Sequence, residues 1–66
     1  MQSFKERLVI EHDELKEKTG KLTTFINGPM FSDLDVEEQA DLRCQLTAMT
    51  TYCDILERRL KRRNLF

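Results

Sequence analysis

The sequence predicts an all-α fold, an antiparallel hairpin of two long helices that self-associates into a four-helix bundle. Three observations predict it. Leu8, Leu15 and Leu22 recur at seven in the first half, which is one narrow stripe on a helix. Leu42, Leu46, Met49, Cys53, Leu56 and Leu60 step by four, three, four, three and four in the second half, the cadence of a coiled-coil seam. Between the two, Gly28 and Pro29 stop one helix and Asp35 starts another.

The first helix is expected over about residues 2–26. Phe4 precedes its leucine stripe, and Phe25 and Ile26 follow it. The interleaved slots are poor: they hold Lys5, His12 and Thr19, and Gly20 inside the helix costs about 1 kcal/mol relative to alanine. Such an arm forms mainly because something packs on its leucines. Val9 and Ile10 fall beside and behind the stripe, where neither helps a two-helix contact.

The elbow is expected over about residues 27–35. Gly28 can take the positive φ of the C′ position, and Pro29, lacking an amide hydrogen, prevents the helix from resuming. Met30, Phe31 and Leu34 are too apolar for a solvated loop and are expected to fold back over the open end of the helix pair. Asp35 is positioned to cap the next helix, with Glu38 three residues on as its capping-box partner.

The second helix is expected over about residues 36–63. Its seam should meet Leu8, Leu15, Leu22 and Ile26 in the hairpin core. A neighbouring row of Gln45, Ala48, Tyr52, Ile55 and Arg59 widens the apolar face beyond what one partner helix covers. Gln45, Ala48, Tyr52 and Ile55 are therefore the expected self-association surface, giving a dimer or a dimer of dimers. Acids Asp35, Glu37, Glu38 and Asp41 gather at the helix start and Arg58, Arg59, Lys61, Arg62 and Arg63 at its end, each sign favoured by the helix dipole. The apolar Leu65 and Phe66 are expected to fray. Arms of this length reach roughly 37–42 Å, and a short elbow makes them antiparallel.

All 66 residues make one domain, of a size where a lone core supplies roughly 3–5 kcal/mol and a partner chain is the usual supplement. Cys44 and Cys53 stand nine apart on one helix, which separates their Cα atoms by about 13.5 Å against the under-7 Å a disulfide needs. Two thiols, one histidine and no Cys-x-x-Cys spacing predict no zinc site, and no cofactor is expected. The 11 basic and 12 acidic residues leave a net charge of −1, so no global field draws the chain to nucleic acid or anionic lipid. Neither a membrane span nor a signal peptide is visible, which predicts a soluble intracellular protein.

No catalytic constellation is visible, and an enzyme is not expected. His12 lies among Glu11, Asp13 and Glu14 but lacks the i, i+4 histidine pair of a zinc helix, so it reads as a polar seam residue. Cys53 reads as a small core filler and Cys44 as a surface thiol. Ser3, Ser32 and the threonines have no catalytic motif around them, and there is no glycine-rich phosphate loop. The run from Arg58 to Arg63 is a possible contact for a partner or for phosphate. Yet the arms and elbow are too long for a compact helix-turn-helix unit, and the acids elsewhere disfavour nucleic acid as a partner.

Phe4, Arg7, Glu14, Leu15, Lys18, Lys21, Leu22, Phe25, Ile26, Phe31, Leu34, Glu38, Gln39, Leu42, Gln45, Leu46, Ala48, Met49, Tyr52, Ile55 and Leu56 form a pattern that resembles a family of small all-helical phage and prophage proteins. Within that group the chain is similar to the short products encoded between the exonuclease and excisionase genes of lambdoid phages, including Shiga-toxin-converting ones. The resemblance implies an early-expressed accessory factor in the host bacterial cytoplasm. Such a factor biases the lysis–lysogeny choice, or host physiology, by binding a host or phage protein. It implies no active-site residues. That family often has serine after the tyrosine, where this chain has Cys53.

Overall fold

The computed structural model describes residues 3–64; Gln2, at the expected helix start, and Leu65 and Phe66, expected to fray, lie outside them. The described residues form two α-helices, α1 over Phe4–Ile26 and α2 over Val36–Arg62, with a 3-10 turn at Phe31–Asp33 between them. They lie antiparallel: His12 of α1 meets Glu57 near the far end of α2, while Phe25 meets Phe31 at the elbow. The resulting rod measures 43 × 19 × 17 Å, in keeping with the expected arm lengths. No helix among the described residues is long and apolar enough to cross a membrane.

Both helix starts are capped by side chains. Ser3 accepts from the Glu6 amide at 3.1 Å, and Asp35 accepts from the Glu38 amide at 2.8 Å, so each removes one of the unpaired donors of a first turn. The Ser3 cap went unread in the sequence, although Ser3 and Glu6 have capping-box spacing. The far end of α2 carries Arg59, Lys61 and Arg62 in its last turn, facing its negative pole.

The core is concentrated where the start of α1 meets the end of α2. Leu8, Leu56 and Leu60 are buried together, Leu56 completely, with Leu15 and Val9 packed against them. Val9 therefore supports the two-helix contact, contrary to expectation, because it sits at the rim of the narrow seam. Ile10, behind it, is exposed. Farther toward the elbow Leu22, Ile26, Leu42, Leu46 and Met49 are only half-buried, since two helices alone enclose little volume.

The elbow corrects one expectation and refines another. Gly28 does not have positive φ; α1 ends instead on Asn27 at φ −88° and ψ 0°, with the Gly28 amide donating to the Phe25 carbonyl at 3.1 Å. The chain leaves through a tight turn of ordinary handedness; among the described residues the left-handed one is Asn64, at φ 57° after α2. Gly28 is still closely hemmed in, because an added Cβ would lie 3.3 Å from the Thr24 carbonyl oxygen and 3.4 Å from that of Phe25. Phe31 folds back as expected and is buried, edge-on to Phe25 and beneath the Arg43 guanidinium at 5.0 Å. Leu34 is half-buried, but Met30 is 67 % exposed and takes no part in the plug. Gln39 ties α2 to the elbow by donating to the Leu34 carbonyl at 2.7 Å.

Candidate functional site

Polar chemistry gathers at one point of the seam, one turn along α1 from Leu8. His12 is 3 % exposed there. Its Nδ1 lies 3.1 Å from Asp13 Oδ1 and its Nε2 lies 3.0 Å from Glu57 Oε2. A carboxylate only accepts, and a neutral imidazole has a single N–H, so the charged ring satisfies both contacts. The His12 pKa is accordingly raised above 6.5, chiefly by the Glu57 hydrogen bond, with burial opposing. Glu57 is lowered, again chiefly by the His12 hydrogen bond.

Cys53 stands one turn before Glu57 on the same face of α2, and its Sγ donates to Glu57 Oε2 at 3.7 Å. Burial, and then the Glu57 charge, push the thiol pKa up. This setting is the reverse of the electropositive one that makes a reactive thiolate. Cys44 is an exposed free thiol, as expected, and no disulfide joins it to Cys53. Among the described residues, His12, Cys53 and Glu57 form one group whose potential metal-ligating atoms all lie within 4.8 Å of one another.

The sequence placed His12 and Cys53 on the two seams but did not pair them, and it passed over Glu57. The available signal was the i, i+4 spacing of Cys53 and Glu57, which puts them on one helix face. Choosing the histidine that meets them requires the register of one helix against the other.

The row expected to mediate self-association is on the outside. Gln45 and Ala48 are exposed, Tyr52 is 41 % exposed and Ile55 is 38 % exposed. Tyr52 is also tied within the chain, because its hydroxyl donates to the Glu11 carboxylate of α1. That contact, above all, raises its pKa. Arg63 lies over the Phe4 ring at 5.3 Å and donates to the Arg59 carbonyl, and Arg59 joins Phe4, Arg7, Leu8 and Glu11 around a surface groove. Arg58, Lys61, Arg62 and Arg63 are exposed.

No curated protein and no solved structure matches the chain. The profile of the Sequestin family matches residues 2–62, which takes in both helices and the elbow. The chain belongs to the Sequestin family.

Proposed function

We propose that this protein is a non-enzymatic interaction module, a helical hairpin that pairs with a second copy of itself and presents side chains to another protein. The observation that carries this reading is the uncovered outer face of α2, where Ala48, Tyr52 and Ile55 stand exposed beside the seam. The area agrees with it: a compact monomer of 7.9 kDa exposes about 4,400 Å², whereas this chain exposes 5127 Å². Pairing two hairpins is the cheapest way to cover such a face. The resemblance to lambdoid-phage products supports a setting in the host cytoplasm. There the module would bias lytic against lysogenic development, or host physiology, through a host or phage protein.

Sedimentation equilibrium at micromolar concentration tests the self-association, and a fully helical monomer overturns it. The exposed Arg58, Lys61 and Arg62 favour, more weakly, a regulator that binds nucleic acid at the end of α2. A gel-shift titration across salt separates the two readings, since a phosphate-driven complex weakens steeply between low and physiological salt. The interaction-module reading expects no complex at either.

A further inference from the structure

We propose that His12, Cys53 and Glu57 form a three-ligand site for a zinc ion that clips α1 to α2. This departs from the sequence-based expectation of no metal site, which considered spacing along one helix and not across two.

The donor set suits zinc, which takes imidazole nitrogen, thiolate sulfur and carboxylate oxygen in tetrahedral arrangement. Bonds of about 2.0–2.3 Å to such ligands place them roughly 3.3–3.6 Å apart around the ion. Here Glu57 Oε2 is 3.0 Å from His12 Nε2 and 3.7 Å from Cys53 Sγ, and all three atoms fall within 4.8 Å. Closing that geometry would call on the side-chain rotamers of Cys53 and Glu57, which share one face of α2. The ion would take the place of the proton between His12 and Glu57, and would release that proton and the thiol proton to solvent.

Two further features favour a site over a chance cluster. Asp13 Oδ1 holds the other ring nitrogen at 3.1 Å, and a carboxylate on the far nitrogen is how zinc-bound histidines are commonly oriented. His12 and Cys53 are buried while the Glu57 side chain is 29 % exposed, so the carboxylate marks the entry path and leaves the fourth position to water. His12 is 41 residues from Cys53 in sequence, so the ion would cross-link the two arms close to Leu8, Leu56 and Leu60.

Cobalt(II) titration of the reduced full chain is the test, because a tetrahedral thiolate site gives intense d–d bands and a sulfur-to-cobalt charge-transfer band. The expected result is one ion per chain, displaced by zinc. Zinc at about 100 times its dissociation constant should raise Tm by roughly 10–20 °C. Cys53→Ser should abolish the charge-transfer band, His12→Asn and Glu57→Gln should each weaken binding at least tenfold, and Cys44→Ser should change nothing. Glu57→Gln alters a part-exposed side chain and serves where Cys53→Ser lowers the helicity of the metal-free chain. An absent cobalt spectrum, a spectrum that follows Cys44, or binding untouched by Glu57→Gln overturns the proposal. The readout is independent of oligomeric state, so failure here leaves the interaction-module reading standing.

Discussion

A buried histidine between two carboxylates makes the metal-free hairpin sensitive to pH. His12 titrates above 6.5 in the fold, so its contribution to stability is fully present below the unfolded value and is lost as pH rises through the folded one. Glu57 titrates below 4.5, so its contribution is present above that value and is lost as pH falls through the folded one. The pair therefore stabilises most between about pH 4.5 and 6.5. Asp13 also acts on His12, and Cys53 and Lys16 act on Glu57. Thermal melts from pH 4 to 8 in chelator should show Tm falling above that window, and the alkaline fall should flatten in His12→Gln. An unchanged profile in that variant would mean that other groups set the dependence. Leu56, fully buried, provides a contrast that does not titrate: Leu56→Ala should cost about 2–5 kcal/mol at every pH, read by denaturant unfolding.

The two helices are unequal as elements. Along the second half of α1, Thr19, Thr23 and Thr24 turn their hydroxyls back onto the carbonyls four residues earlier, at 2.7, 2.9 and 3.0 Å, a habit that slightly weakens a helix. Gly20 lies within this run with nothing within 4 Å of an added Cβ. Gly20→Ala should therefore stabilise by up to about 1 kcal/mol, seen as a higher Tm. Gly28 should behave in the opposite way. Gly28→Val presses a branched side chain on the backbone carbonyls of Thr24 and Phe25, and it should destabilise by roughly 1–3 kcal/mol. Pro29→Ala, at an exposed position, should cost less. Equal losses in melts of these two variants would mean that the turn relaxes around Gly28.

At the scale of the whole molecule, a rod of 43 × 19 × 17 Å has too little interior for every residue of the two seams to be enclosed. The half-buried Leu22, Ile26, Leu42, Leu46 and Met49 are where a second hairpin would add most. Ile55→Lys places a charge on the proposed contact and should shift the chain toward monomer, with lower helicity at high dilution. Light scattering and circular dichroism over a concentration series read both effects. If size and helicity match the parent chain at every concentration, the row of Tyr52 and Ile55 is not the interface, although the hairpin itself would stand.

The sequence alone determined the two helices, the elbow and the seam, because each rests on a local rule. Period fixes which residues share a face, Asp35 starts a helix through its own side chain, and the Gly28–Pro29 pair ends one. The Gly28 conformation departs from expectation for an equally local reason: glycine permits positive φ without requiring it, and the carbonyls of Thr24 and Phe25 favour glycine there by close approach instead. Only the tertiary structure decided that Val9 joins the core, that Met30 does not plug the elbow, and that His12 faces Cys53 and Glu57. Those outcomes depend on how far one helix slides against the other, and a slide of a single turn, about 5.4 Å, would pair His12 with different residues of α2. Periodicity is unchanged by that slide, whereas packing of Leu8 on Leu56 and Leu60 selects one position.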